Sequence, residues 1–195
     1  MKTKSVMIVG VGGQGSLLAS RILGHVFMAQ GFEVKVSEVH GMSQRGGSVV
    51  TYIKYGDQVF SPIVEKGEAD YLLSFEQLEA ARWLSYLKKD GTMILSTQKI
   101  DPMPVIIGAA QYPQDIVPKL QQAGVDLIAV DALDLAQQAG SSKATNTVLI
   151  GILSTLMPFE KENWENAIRE LVPSKFLDLN LKAFELGRTV AAKRA

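Results

Sequence analysis

Val6-Met7-Ile8-Val9-Gly10-Val11-Gly12-Gly13-Gln14-Gly15 decides the fold. The four apolar residues, β-branched at Val6, Ile8 and Val9, do not alternate with polar ones, which marks a strand covered on both faces. The glycines after them permit a sharp reversal. Leu17, Leu18, Ile22, Leu23 and Val26 then recur at helical spacing to about Gln30, and Gly31 predicts the C-cap. Strand, glycine turn and helix in that order open an α/β sheet.

The same alternation continues along the chain. Glu33–Val39 predicts a second strand, with Val34, Val36 and Val39 set among charged residues. Gly47–Tyr55 predicts a third, with a turn at Gly56-Asp57, and Val59–Val64 is expected to pair back onto it at an edge because it contains Pro62. Asp70–Phe75, Thr92–Ser96, Val105–Ala110 and Val125–Val130 read as further strands. Glu76–Leu87 reads as an amphipathic helix closed by Lys88, Lys89 and Gly91. Pro113–Gln122 reads as a helix opened by its proline, and Leu133–Ala139 as another. From about Thr145 the chain turns helical, with Val148–Met157, Glu162–Leu171 and Leu179–Lys193 separated by Pro158 and Pro173. The expected fold is α/β, a doubly wound, mostly parallel Rossmann-like sheet with a helical C-terminal part, in one domain over residues 1–195.

Two turns concentrate the candidate chemistry. The first satisfies G-x-G-x-x-G with Gly10, Gly12 and Gly15, and the N–H groups of the following helix attract anions. Two readings are open: a phosphate cradle, or a tight turn alone. A dinucleotide reading also uses Glu38 at the end of the second strand as the ribose acid. Gln14 adds an amide suited to a ligand or a partner chain. The second turn, Ser37-Glu38-Val39-His40-Gly41-Met42-Ser43-Gln44-Arg45-Gly46-Gly47, sets an imidazole, an amide and a guanidinium between glycines. Arg45 suits bidentate capture of carboxylate or phosphate, or an internal pair with Glu38. His40 suits proton transfer or a simple bond to a neighbouring carbonyl.

Composition excludes several classes. With Cys 0, the chain offers no thiolate for a disulfide, an iron–sulfur cluster, a zinc site or a nucleophile. Lys+Arg 20 balances Asp+Glu 20, which gives no general attraction to nucleic acid or anionic membrane, the basic tail Arg188–Arg194 fitting a helix C-terminus. No apolar run nears the ~20 residues of a bilayer span, and the run after Met1-Lys2-Thr3-Lys4 is too short for a signal peptide, so a cytoplasmic protein is expected. His25 falls mid-helix, leaving no metal constellation. Neither a Walker lysine nor Gly-x-Ser-x-Gly occurs. Asn146 is expected in a helix cap or first turn, and Trp83 and Trp164 in packing.

Gly10-Val11-Gly12-Gly13-Gln14-Gly15 combined with Gln44-Arg45-Gly46-Gly47 resembles the gamma-type domain of 2-oxoacid:ferredoxin oxidoreductases. The run from Ser37 to Gly47, with its His40-Gly41, is most similar to the indolepyruvate branch of that family. Asn146, Asn180, Ala183 and Gly187 extend the likeness across roughly Val6 to Gly187. The resemblance implies a small subunit, inactive alone, that docks on a large one carrying thiamine diphosphate and the iron–sulfur clusters. The implied complex decarboxylates an aryl 2-oxoacid such as indolepyruvate, forms the aryl-acetyl-coenzyme A, and passes electrons to ferredoxin. No catalytic residue and no metal are then expected on this chain. Gly10, Gly12, Gly13, Gln14, Gly15, His40, Gln44, Arg45, Gly46 and Gly47 would border the coenzyme A entrance. A free-standing NAD- or FAD-binding protein using Gly10, Gly12, Gly15 and Glu38 is the rival reading.

Overall fold

The apolar run at the start forms the central strand, β1 (Lys4–Val11), whose residues from Ser5 to Gly10 are buried. The computed structural model describes residues 2–38 and 42–192; Val39, His40, Gly41 and Lys193 lie outside the described residues. After β1 come α1 (Ser16–Ala29), β2 (Glu33–Glu38) and β3 (Ser48–Gly56). Then follow β4 (Ala69–Ser74), α2 (Gln77–Trp83), β5 (Leu87–Ser96), α3 (Met103–Ile106), α4 (Ile116–Gln122) and β6 (Asp126–Val130). The remainder is α5 (Ala132–Ala139), α6 (Thr145–Ser154), α7 (Lys161–Leu171) and α8 (Leu177–Ala192).

The strands lie in the order β2-β3-β1-β4-β5-β6. β1, β4, β5 and β6 pair in parallel. β3 runs antiparallel to both β1 and β2, so it alone points the other way. Helices cover both faces, which makes the sheet doubly wound. The strand pleat sends Val6 and Ile8 into a core with α1 and α5–α8, and Met7 and Val9 into a second core with α2 and α4. That two-sided burial is why β1 shows no polar alternation.

The C-terminal helices pack backbone to backbone. A Cβ on Gly187 would stand 2.0 Å from the Val148 carbonyl oxygen, and one on Gly151 would stand 2.2 Å from that of Phe184. Ala183 is wholly buried in the same crossing, and Asn180 Oδ1 accepts from Thr147 Oγ1 at 2.7 Å. Among the described residues no helix is long and apolar enough to cross a membrane.

Four expected elements differ. Val59–Val64 forms no strand: the Val59 N–H donates to Glu33 Oε2 at 2.9 Å, and Val59 and Val64 anchor a loop beneath the sheet. Val105–Ala110 is not a strand either, because Pro102 caps and Pro104 opens a single helical turn, Met103–Ile106, that Gly108 (φ 75) follows. The helix after Glu76 stops at Trp83, and Lys88, Lys89 and Gly91 belong to β5. Gly91 is required there because a Cβ would press within 2.7 Å of the Ala69 carbonyl oxygen on β4. Finally, α4 starts at Ile116, beyond Pro113, with Asp115 as its N-cap.

Candidate functional site

Both glycine turns lie at one end of the sheet, because antiparallel β3 begins where β1 finishes, Val11 pairing with Ser48. They are docked on each other. The Gly12 N–H donates to the Gly47 carbonyl at 2.9 Å, and a Cβ on Gly12 would stand 2.3 Å from the Ser43 carbonyl oxygen. Within the second turn, the Arg45 N–H donates to Met42 O at 3.0 Å and closes a 3₁₀ turn at Met42–Gln44, and the Gly47 N–H donates to Ser43 O at 2.9 Å. Gly46 (φ 96) faces open space.

Gln14 staples the first turn to the sheet. Its Oε1 accepts from the Val11 N–H at 2.7 Å, and its Nε2 donates to the Phe75 carbonyl at 3.0 Å and to Gln98 Oε1 at 3.1 Å. Both amide hydrogens are thereby engaged. Gly10 leaves room for this amide, since a Cβ there would come within 2.8 Å of Gln14 Oε1. Gly15 (φ 86) leaves room for Asn146, whose Nδ2 donates to the Gly15 carbonyl at 3.1 Å. Each fingerprint glycine therefore answers to an intramolecular neighbour. Gly13 (φ 99) is the residue of the turn with nothing within 4 Å of a would-be Cβ.

A cavity of about 540 Å³ opens at this end, bounded by Gly13, Gln14, Gly15, Gln98, Lys143 and Asn146 among others. No side chain caps the first turn of α1, whose N-cap is Gly15. The partial positive charge of that helix end, with the exposed Lys143, makes the cavity suited to an anion. Arg45 is also exposed, and its guanidinium pairs with no described residue.

The other candidate residues go elsewhere. Glu38 accepts from Ser20 Oγ on α1, in a separate cavity of about 470 Å³ between α1 and β2. It does not reach Arg45's position in the second turn as an ion-pair partner. His25 stands 3.5 Å from Glu170 on that same side of the sheet. His40 lies outside the described residues. Asn146 sits in the first turn of α6, almost wholly buried, and Trp164 is fully buried. Trp83 is partly buried against the second core, its Nε1 donating to Glu79 at 3.2 Å. Among the described residues no three His, Asp or Glu side chains converge as a metal site would require.

Gln98 escaped sequence reasoning, since nothing in a lone glutamine after a strand signals a role. It is itself held from below. The Gln77 N–H donates to the Gln98 carbonyl at 3.1 Å, and the buried Glu76 accepts from the Ile100 N–H at 3.2 Å and from Tyr112 Oη. Burial and then the Glu76 carboxylate push the Tyr112 phenol well above its ordinary range. The loop after β5 is thus fastened to α2, and through Gln98 to the glycine turn.

This geometry departs from a dinucleotide site in two places. Backbone from the second turn fills the space beside Gly12 where a pyrophosphate would need to approach. In addition, β3 stands between β1 and β2, which carries Glu38 two strands away from the glycine turn.

The chain is of an oxidoreductase class: residues 5–190 match the pyruvate ferredoxin/flavodoxin oxidoreductase family, to which it belongs. The family read from the two turns is the right one. The chain is 44% identical over 192 residues, 96% of its length and 95% of the relative's, to indolepyruvate oxidoreductase subunit IorB of Thermococcus kodakarensis. Its fold matches the gamma subunit of a keto/oxoacid ferredoxin oxidoreductase from Geobacter sulfurreducens with TM-score 0.73 and 23% identity, covering 97% of this chain and 99% of that one. It also matches the 2-oxoglutarate:ferredoxin oxidoreductase of Magnetococcus marinus, solved with 2-oxoglutarate, coenzyme A and succinyl-CoA, with TM-score 0.75 and 17% identity. That match covers 99% of this chain but 32% of the longer one.

Proposed function

We propose that this chain, as one gamma-type domain over residues 1–195, is the small subunit of an indolepyruvate-type 2-oxoacid:ferredoxin oxidoreductase. The observation that carries the reading is the 44% identity, nearly end to end, with an indolepyruvate oxidoreductase subunit. The complex oxidatively decarboxylates an aryl 2-oxoacid, transfers the acyl unit to coenzyme A and delivers two electrons to ferredoxin, in the cytoplasm. Thiamine diphosphate and the iron–sulfur clusters reside on the large subunit. The absence of cysteine supports that division, since the clusters need thiolate ligands this chain lacks.

The chain's own contribution is to border the coenzyme A entrance. Gly13 and Gly15 hold the start of α1 open toward a phosphate, while Lys143 and Arg45 supply cations. Gly10, Gly12, Gln14, Gln44, Gly46 and Gly47 shape the paired turns that fix this border, and His40 belongs to the same second turn. The rival dinucleotide reading finds no support in the position of Glu38 or in the filled space at Gly12.

Purification of the tagged chain from its native anaerobic extract tests the assignment. A large iron- and thiamine-containing chain should accompany it and reduce ferredoxin with indolepyruvate and coenzyme A. A chain that comes down alone, iron-free and saturable by NAD or FAD, overturns the proposal. In the complex, Arg45→Ala should raise the KM for coenzyme A without separating the subunits. Unchanged kinetics in an intact complex would remove Arg45 from the entrance. Dissociation would make the second turn an interface instead.

A further inference from the structure

Glu38 and the mid-helix glycine Gly24 take no part in the glycine-turn site, yet both wall the separate cavity of about 470 Å³ between α1 and β2. Ser20, Gly24 and Met28 recur every four residues along one face of α1, and Val34, Val36 and Glu38 alternate onto one face of β2. Leu171, the last residue of α7, completes the apolar part of the lining. β2 is an edge strand, which leaves the cavity at the margin of the sheet.

Gly24 is buried in the interior of α1, where glycine is the least favourable residue after proline. The glycines of the C-terminal helix crossing are required by backbone that a Cβ would strike. Gly24 is different: a Cβ there would meet nothing within 4 Å, and its φ is not positive. No neighbour and no backbone angle requires glycine at this position. What the missing side chain does is enlarge the cavity.

The charges on the wall add a second constraint. Glu38 accepts from the buried Ser20 Oγ, and Arg21, exposed, lines the same cavity. Among the described residues neither has an ion-pair partner, and they do not pair with each other. His25, by contrast, is engaged by Glu170 at 3.5 Å. One unpaired carboxylate and one unpaired guanidinium beside apolar residues complement a zwitterion with an apolar body. The volume lies within the range of about 300–1,000 Å³ usual for small-molecule sites.

We propose that this cavity binds a free α-amino acid with a large apolar side chain. Its ammonium meets Glu38, its carboxylate meets Arg21, and its side chain fills the space that Gly24 leaves, against Val34, Val36 and Leu171. The inference stands on these residues and not on the oxidoreductase reading.

Isothermal titration calorimetry of the full chain tests it, with L-phenylalanine and L-leucine as probes. At least one should saturate a single site per chain, and glycine, which lacks the side chain, should not. The matching amine and acid, phenethylamine with hydrocinnamate or isoamylamine with isocaproate, should bind at least roughly tenfold more weakly, each having lost one charge. Glu38→Gln keeps an acceptor for Ser20, and Arg21→Gln alters an exposed residue, so both should melt near the parent while weakening binding at least roughly tenfold. Gly24→Leu should fill the cavity and abolish binding. If it does not fold, the two charge variants decide. No saturable binding at millimolar concentration, parental affinity in both charge variants, binding that survives in a folded Gly24→Leu chain, or an amine or acid that binds as tightly as the amino acid overturns the proposal. Each of these leaves the family assignment intact.

Discussion

Asn146 Nδ2 donates to the Gly15 carbonyl at 3.1 Å across 131 residues, tying the first turn of α6 to the turn that opens α1. Its Oδ1 meanwhile accepts from the Thr147 N–H at 2.8 Å. One buried side chain thus joins the glycine turn to the C-terminal helices. Asn146→Ala should cost about 1–3 kcal/mol, because the Gly15 carbonyl and Thr147 lose partners. Chemical denaturation checks this, and Asn146→Asp should be no milder, since an acceptor would then face the carbonyl. A variant as stable as the parent would show that the link contributes nothing.

Gly12→Ala is the direct probe of the docked turns. The added methyl meets backbone of Ser43 and Gln44, which cannot swing aside like a side chain. A loss of about 1–3 kcal/mol is expected from the overlap. Hydrogen exchange should show faster exchange at the Gly12 and Gly47 amides than at β1. By contrast, nothing lies within 4 Å of a Cβ on Gly13, so Gly13→Ala should suffer from its φ of 99 alone.

Gln14 and Gln98 should separate stability from site geometry. Gln14→Leu strands the Val11 N–H and the Phe75 carbonyl, and about 1–3 kcal/mol should be lost for each group left unpaired in the interior. Gln98→Leu removes one partner of Gln14 and leaves the other two bonds in place. It should melt near the parent while raising the KM for coenzyme A in the complex. Parental kinetics in that variant would limit Gln98 to structure.

Asp70 predicts an acid limb. Burial lifts its carboxyl, but the Ser5 N–H at 2.9 Å and Lys4 and Lys88, both at 3.2 Å, outweigh this and hold it below its ordinary 3.8. A folded value below the unfolded one means the contribution is complete above about pH 4 and drains away as pH falls through the folded value. Asp70→Asn should therefore melt below the parent at pH 7, with the gap closing under pH 4. Melting temperatures measured from pH 7 to pH 3 check it, and a gap independent of pH would assign the effect to shape rather than charge.

The reading of the chain succeeded where local pattern and tertiary environment agree. The unbroken apolar run at Val6–Val9 requires cover on both faces, and the spacing from Leu17 to Val26 requires a helix against one of them. It failed at Val105–Ala110, where a β-branched apolar run without period suits a strand, and Pro102 and Pro104 just before it favour a helical turn instead. It failed again at Lys88, Lys89 and Gly91. Cations and a glycine suit a helix end in isolation, but Gly91 serves the close approach of β5 to β4.

The site divides in the same way. The sequence alone determined the family, because two glycine turns of such unusual composition at strand ends are specific in combination. It also determined that this chain supplies no thiolate to an iron–sulfur cluster, because it has Cys 0. Only the tertiary structure decided that Gln14, the second turn and Asn146 are what a side chain at Gly10, Gly12 and Gly15 would meet. Only it carried Glu38 two strands away and brought Gln98 onto Gln14. A glycine's need for space has no local signature: it is set by whichever atoms approach from 4, 31 or 131 residues away, and those contacts exist only once the chain has folded.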